Sequence, residues 1–219
     1  MKKLSIDIVS DVMCPWCIIG YKGLEIAMAD LAPDIEADIN WLPFEINPHY
    51  EKEGKNFIKH LTEKYPSIPV EQFVQQRNMI AAKGREVGFE FSFSDESRIF
   101  NSFDLHRLLA WAKEQGKQHS LSIAFFQAHF SECMPLYDQA TVLSIVRAVG
   151  LDSTEAAKVL TSDAYSDQVR KEQQRSASMG IHSVPTFFIS GKNVASGGQP
   201  VEVFKNLLRE AASESPYCD

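Results

Sequence analysis

The 219-residue sequence lacks two features that would group it with membrane proteins or nucleic-acid-binding proteins. No apolar stretch approaches the roughly 18 residues that a transmembrane helix needs. The sequence also contains no run of basic residues, and its formal net charge is -7. Because phosphate contacts require clustered lysine and arginine side chains, an acidic chain of this kind is a poor nucleic-acid binder. We therefore expect no membrane and no nucleic acid among its partners.

The N-terminal segment lacks the uninterrupted apolar stretch of a secretory signal peptide. It begins with MKK, but Asp7 and Asp11 interrupt the apolar residues that follow, and no small-residue cleavage site is present. We therefore expect a cytoplasmic protein. Cytoplasmic thiols are kept reduced, so disulfides in that compartment are usually transient and catalytic.

Cysteine is scarce, and its distribution excludes a disulfide-stapled fold. The four cysteines are too few and too unevenly spaced for a structural disulfide framework; they are Cys14, Cys17, Cys133 and Cys218. A structural zinc site normally needs a second CxxC or a Cys/His pair at metal spacing, and the sequence has neither. We predict no bound metal.

The beginning of the sequence carries a β-α-β pattern. Residues 4–9 (LSIDIV) alternate apolar and polar positions and predict a strand. Residues 15–31 have helical spacing, with Pro15 at a first helical position, where its missing N–H is tolerated. Residues 35–42 (IEADINWL) alternate again and predict a second strand, parallel to the first.

The middle of the chain reads as successive amphipathic helices, and strands return near the end. The clearest predicted helices cover residues 100–116, 121–134, 140–150 and 152–163. Two strands, 184–190 and 194–198, then precede a final helix over 200–212. This order predicts an α/β domain whose sheet is formed by residues 1–44 and 176–219, interrupted by an all-helical insertion over residues 45–175.

The CPWC motif raises three alternatives for Cys14 and Cys17: a redox pair, half of a zinc site, or two inert buried residues. Redox chemistry is favoured because a CxxC motif inside a βαβ pattern is typical of thioredoxin-like proteins. A cysteine at a helix N-terminus faces free backbone N–H groups, which stabilise the nucleophilic thiolate. A second cysteine one turn later can then release whatever the first has captured. Pro15 stiffens the turn, and Trp16 offers a flat apolar surface beside the sulfur.

The motif and later segments together resemble a known family. CPWC after the first strand, and GIHSVPTFFI followed by SGGQP, resemble the DsbA-like thioredoxin-fold oxidoreductases. The chain is most similar to their FrnE-like branch, which is related to kappa-class glutathione transferases and 2-hydroxychromene-2-carboxylate isomerases. LPFEINP at 42–48 and the segments at 100–112 and 124–130 carry the likeness across nearly the whole chain.

The resemblance implies roles for individual residues. Cys14 is expected to be the exposed attacking thiolate and Cys17 the buried resolving thiol. Pro185 is expected to follow a cis peptide bond and to face the two cysteines. The backbone of Val184 is then expected to pair with an extended substrate, as in β-augmentation.

The resemblance also indicates which residues lie beside this site. Pro15 and Trp16 are expected to contact substrate, and the resemblance places Asn101 near the thiols. His106 is more simply a satisfied histidine and Arg107 an ion-paired or solvated helix residue. Cys133 is expected to be a small core residue on a helix, and Asp11 to serve a turn or capping role.

The sequence departs from the family at two informative positions. The related isomerases and transferases generally have serine where this chain has Cys14, so the cysteine pair favours dithiol–disulfide exchange. The DsbA pattern has histidine at the position of Trp16, which makes a very strong oxidant a weaker expectation here.

We therefore predict a thiol–disulfide oxidoreductase that exchanges electrons with protein or small-molecule thiols. It needs no metal or organic cofactor, with glutathione as a candidate co-substrate, and relatives suggest a homodimer. Two alternatives remain: a glutathione-dependent isomerase or transferase, and a non-catalytic binding module or chaperone.

Overall fold

The fold has a sheet built from both ends of the chain and a helical region inserted between them. It is described by a computed structural model over residues 2–214, without the side chains of Asn193 and Val194. The strands are β1 (Lys2–Ser10), β2 (Ile35–Pro43), β3 (Lys55–Asn56), β4 (Arg98–Ile99), β5 (Thr186–Ile189) and β6 (Lys192–Ser196). The helices are α1 (Pro15–Leu31), α2 (Phe57–Lys64), α3 (Val70–Glu86), α4 (Phe103–Glu114), α5 (Gln118–Phe130), α6 (Gln139–Ala148), α7 (Ser153–Leu160), α8 (Ser166–Ser178) and α9 (Val201–Glu214).

The main sheet has the strand order β2-β1-β5-β6. β1 pairs with β2 in parallel and with β5 in antiparallel register, with Ile6 opposite both Ile39 and Ile189. Along β1 the buried side chains Leu4, Ile6 and Ile8 alternate with more exposed ones. The parallel β1–β2 pair and the return of strands at the end of the chain are therefore as predicted.

Helix α1 occupies the predicted residues and connects the two parallel strands. Pro15 lies at its first position, and the chain leaves the helix at Ala32, whose backbone is extended. The helix packs against α9 and the sheet through buried residues such as Leu24 and Ala27. Because α1 begins immediately after the loop that follows β1, the cysteine motif lies at the end of the central strand.

The inserted region is helical, as predicted, with one addition: the two-residue antiparallel ladder between β3 and β4. Some helix limits differ from the prediction. α4 begins at Phe103 rather than at residue 100, and α5 ends at Phe130 rather than at residue 134. The chain turns at Cys133, whose φ of +53° is incompatible with a continuing right-handed helix.

The insertion and the sheet share a continuous core. Phe126 and Phe130 of α5 belong to the same buried cluster as the β1 and α1 residues, and Phe89 and Phe91 join it from the loop after α3. A second cluster lies among α4, α5, α6 and α7. The domain limits at 44/45 and 175/176 stay a prediction, and α8 runs across the second of them. Among residues 2–214, none of the helices has the length and apolar character to span a bilayer.

Candidate active site

The loop before the CPWC motif is held by the buried carboxylate of Asp11. One carboxylate oxygen accepts a hydrogen bond from the Met13 N–H at 3.0 Å, and the other accepts from the Ile46 N–H at 2.7 Å. The same carboxylate lies 3.7 Å from His106 Nε2. Asp11 thus fixes the turn that presents Cys14 and ties it to the loop after β2, which is the turn role predicted for it.

Cys14 is the last residue before the first turn of α1. Its backbone is extended, its N–H donates to the Asp11 carbonyl at 2.9 Å, and its carbonyl accepts from the Cys17 N–H at 3.1 Å. Its thiol donates to the Val184 carbonyl, with 3.7 Å between sulfur and oxygen. This position places Cys14 at the N-terminus of α1, which is the positive end of the helix dipole.

The predicted exposure of Cys14 is wrong. Only 5% of Cys14 is solvent-accessible, and Cys17 is completely buried. The physical reason is that Cys14 packs into the main core cluster while the chain at Val184 lies against its sulfur. The predicted order of the two cysteines is retained, because Cys14 is the more accessible and Cys17 the inner residue. Both cysteines are free thiols.

Burial controls the chemistry of Cys17. Removal from water raises the pKa of the Cys17 thiol well above its ordinary value, and the neighbouring Cys14 adds to this rise. Hydrogen bonds from the Ser10 side chain and the Asp11 backbone act in the opposite direction, because they favour the thiolate. Cys17 is therefore protonated at neutral pH. Ser10 is a contributor that sequence reasoning missed, since a serine at a strand end carries no distinctive signal.

The loop before β5 forms the other side of the site. The Val184–Pro185 peptide bond is cis, and the Pro185 carbonyl accepts from the Gly197 N–H at 2.8 Å. Gly20 of α1 permits the close approach of this loop. A Cβ added there would lie 3.0 Å from the Phe187 ring and 3.3 Å from Pro185 Cγ.

Pro15 and Trp16 are both partly exposed beside the cysteines. Trp16 packs beside Gly198, where an added Cβ would lie 3.3 Å from the indole ring. The SGGQP segment therefore contacts the CPWC motif at Gly198. Pro15 faces a different neighbour: together with Met13 it lines a cavity of about 270 Å³ that continues into the helical insertion.

Asn101 makes two hydrogen bonds through its side chain. Its side-chain amide donates to the Pro48 carbonyl at 3.0 Å, and its side-chain oxygen accepts from the Phe103 N–H at 2.8 Å. These contacts join the start of α4 to the loop after β2. The placement of Asn101 near the thiols, which the family resemblance implies, stays a prediction.

His106 and Arg107 of α4 are both buried and make hydrogen bonds within the protein interior. His106 is buried and its Nε2 lies 2.8 Å from the Phe44 carbonyl, in agreement with a satisfied histidine. Arg107 pairs with Asp104 at 2.9 Å, as predicted, but it is buried rather than solvated. Its guanidinium also donates to backbone carbonyls around α7, including that of Ala164 at 2.9 Å.

The prediction of Cys133 as a core residue on a helix is wrong. Cys133 is exposed, follows the end of α5, and has a left-handed backbone conformation. Its thiol hydrogen-bonds to the Ser92 carbonyl and lines the same cavity as Met13 and Pro15. Cys218 lies outside the described residues. Within residues 2–214, no three histidine, cysteine, aspartate or glutamate residues are grouped so that they could hold a metal ion.

Comparison with known proteins places this geometry in a family. A model of the DSBA-like thioredoxin domain matches residues 5–209. The fold is similar to the crystal structure of SCO1869, a "probable DsbA oxidoreductase" from Streptomyces coelicolor. That similarity has a TM-score of 0.91 and 30% identity, and it covers 99% of this chain and 93% of that one.

Two further relatives extend the comparison. The Bacillus subtilis (strain 168) protein YwbO is 26% identical over 206 residues, which covers 94% of this chain and 96% of YwbO. The cytosolic disulfide reductase DsbM from Pseudomonas aeruginosa has a TM-score of 0.65 at 14% identity, over 94% of this chain and 98% of DsbM. DsbM has also been solved with GSH. At that identity the likeness concerns the fold.

Proposed function

This chain belongs to the DSBA-like thioredoxin domain family, and we propose on that premise that Cys14 and Cys17 are its redox-active pair. Membership places the chain with the thiol–disulfide oxidoreductases in general. The observation that carries the more specific proposal is the position of Cys14. It lies at the N-terminus of α1 and against the Val184 carbonyl, with the inner thiol of Cys17 one turn away.

In the reducing direction, the Cys14 thiolate attacks one sulfur of a substrate disulfide. The substrate S–S bond breaks, a Cys14–substrate mixed disulfide forms, and the other substrate sulfur leaves as a thiolate that takes up a proton. Cys17 then gives up its proton and attacks Cys14 Sγ. This step forms the Cys14–Cys17 disulfide and releases the second substrate thiol, so two electrons have passed to the substrate. The oxidising direction is the reverse of these steps.

The raised pKa of Cys17 fits the resolving role. A protonated inner thiol does not attack until a mixed disulfide forms at Cys14 and a base accepts its proton. The departing substrate thiolate is one such base. The hydrogen bonds from Ser10 and the Asp11 backbone lower the free energy of the Cys17 thiolate as it forms. Asp11 and Ser10 are therefore positioning residues, since they act through the cysteines.

The proposed partners are protein or small-molecule thiols and disulfides, with glutathione as a co-substrate. The GSH-bound structure of DsbM supports glutathione, and the description of DsbM as cytosolic supports a cytoplasmic site of action. Val184 is proposed to align an extended substrate beside Cys14. No metal or organic cofactor enters these steps.

The decisive experiment replaces Cys17 by serine and follows reaction with oxidised glutathione. Exchange through a cysteine pair requires resolution, so Cys17→Ser should accumulate a stable glutathione adduct on Cys14 and lose turnover. Mass spectrometry after acid quench measures the adduct, and Cys133→Ser is the matched control that retains turnover. A glutathione-dependent isomerase or transferase would instead keep its activity without Cys17. Full function after both motif cysteines become serine would indicate a binding module.

A further inference from the structure

The cavity beside the CPWC motif has the composition of a small-molecule site. It encloses about 270 Å³ between the motif loop, α3, the end of α5 and the loop that leads into β4. Most of its wall is apolar and much of it aromatic; the relevant residues are Phe57, Phe93, Ile99, Phe100, Phe130 and Tyr137. Cavities lined by aromatic side chains around a few polar groups are typical of organic ligand sites.

A buried arginine without an adequate partner lines this cavity. The side chain of Arg77 is only 8% exposed, and its Nε–H and Nη2–H groups donate to no partner within residues 2–214. The carboxylate of Asp95 lies 3.9 Å from Nη1 and is itself 99% exposed. The guanidinium lies over the rings of Phe57 and Phe93, at 4.6 Å and 5.6 Å from their centroids.

The contacts with the two phenylalanine rings compensate only part of the free-energy cost of burying the charged Arg77 side chain. Arginine stays protonated in proteins, even where burial lowers its pKa as it does for Arg77. A buried charge normally has a hydrogen-bonded counter-ion, because an unpaired buried ion costs several kcal/mol. The free N–H groups of Arg77 therefore indicate a missing anionic partner.

The other titratable side chains on the cavity wall do not supply that partner. Arg98 donates to the carbonyls of Glu53 and Gly54, at 2.8 Å and 2.9 Å. Burial lowers the pKa of His129 to about 4, so this histidine is neutral at pH 7. Glu96 and Cys133 also belong to the wall and are exposed. The buried part of the cavity is thus apolar with one positive charge.

We propose that this cavity binds an organic anion with an aromatic or otherwise apolar body, whose carboxylate or sulfonate pairs with Arg77. The inference goes beyond thiol–disulfide exchange, which needs only the two motif cysteines, and it stands or fails independently. Since Met13 and Pro15 flank Cys14, the bound anion would lie against the loop that presents the thiol.

The test uses two probes that share an apolar body but differ in charge. 8-Anilinonaphthalene-1-sulfonate carries a sulfonate, whereas N-phenyl-1-naphthylamine is its uncharged counterpart. Fluorescence titration of the full-length protein should give one sulfonate site per chain. Arg77→Met should weaken sulfonate binding at least tenfold and leave binding of the uncharged probe within about twofold. Arg77→Lys should keep part of the affinity, and Arg85→Met, an exposed arginine on the same helix, should change nothing.

A second measurement locates the site without any substitution. Because Cys133 lines the cavity, saturating anilinonaphthalene sulfonate should slow its alkylation by iodoacetamide several-fold, read by peptide mapping. Equal sulfonate affinity for wild-type protein and Arg77→Met would overturn the proposal. Unchanged alkylation of Cys133 at saturation would overturn it as well, including in the case where Arg77→Met does not fold.

Discussion

The two neighbours of Cys14 in the chain line the same cavity as Cys133, yet the fold treats the two thiols differently. Met13 and Pro15, on either side of Cys14, line the cavity together with Cys133. Cys14 precedes a 17-residue helix, lies against the Val184 carbonyl and has a second thiol beneath it. Cys133 is exposed in a turn after a helix. Exposure favours collision with a reagent, whereas the helix N-terminus and the neighbouring thiol favour reversible exchange.

The largest effect is expected when each of these two thiols is replaced by serine in a separate variant. Cys14→Ser removes the attacking sulfur, so the rate of disulfide exchange should fall at least about a thousandfold, toward the uncatalysed rate. Cys133→Ser should leave the rate within about twofold. Both are measured with a fluorescence-quenched glutathione disulfide. A large loss in Cys133→Ser, or retained turnover in Cys14→Ser, would reverse the assignment.

The next largest effect is expected in the alkylation rates of an exposed and a buried thiol. Cys133 is exposed, whereas Cys17 is fully buried and burial raises its thiol pKa. At pH 8 we expect iodoacetamide to alkylate Cys133 at least about a hundredfold faster than Cys17, because Cys17 reacts only after local opening. Peptide mapping over time gives both rates. In urea-unfolded protein the difference should disappear; a difference that persists there would show that burial is not its cause.

The comparison of Cys14 with Cys133 also shows which features of the fold could be predicted from the sequence. The strand around Ile6 and the helix from Pro15 to Leu31 were predictable because alternation and helical spacing are local patterns. The turn at Cys133 was not, since a left-handed backbone is uncommon for a residue other than glycine, and Pro135 two residues later does not indicate it. Nor was the cavity around Arg77, because its wall combines α2, α3, the loop into β4 and the end of α5, which meet only after packing.

The site itself was predictable in part. The spacing of Cys14 and Cys17 and the start of α1 follow from the motif, but the burial of Cys14 depends on the loop before β5, 170 residues away. Ser10 and Gly20 gave no signal, because their effects depend on distances to Cys17 and Phe187. The hydrogen bonds of Asn101 to Pro48 and Phe103 gave no signal either, because they depend on where the loop after β2 meets the start of α4.

On the cavity side, His129 should make stability depend on pH. Burial lowers its pKa to about 4, from about 6.5 for histidine in an unfolded chain. Above about pH 6.5 His129 is neutral in both states and does not lower the free energy of unfolding. As the pH falls from about 6.5 toward 4, the unfolded chain binds a proton that the folded chain does not, so the free energy of unfolding decreases. We expect a loss of about 2 kcal/mol over this window, since partial exposure moderates the full shift.

The measurement is urea unfolding at pH 7 and pH 4.5. His129→Phe should reduce the pH dependence of the unfolding free energy relative to wild type. His182→Gln, which removes an exposed histidine, should leave that dependence unchanged. If His129→Phe and wild type lose the same stability on acidification, the neutral state of His129 is not set by the fold.

On the motif side, a pair of glycines on α1 tests how closely the helix must approach the Pro185 loop. At Gly23 an added Cβ would lie 3.4 Å from the Gln199 carbonyl oxygen, which is ordinary contact. Gly23→Ala should therefore gain up to about 1 kcal/mol from helix propensity. At Gly20 the Cβ would lie 3.0 Å from the fully buried Phe187 ring, which cannot move freely.

Gly20→Ala should accordingly lose that gain and unfold about 1 kcal/mol more easily than wild type. It should also slow exchange at Cys14, because the displaced Phe187 ring lies two residues after Pro185, and the loop at Pro185 forms the other side of the site. Urea midpoints and exchange rates of both variants are compared with wild type. Equal stabilisation by the two alanines would mean that α1 packs more loosely against this loop than the distances indicate. The loop would then be held mainly by Gly197 and β6 rather than by α1.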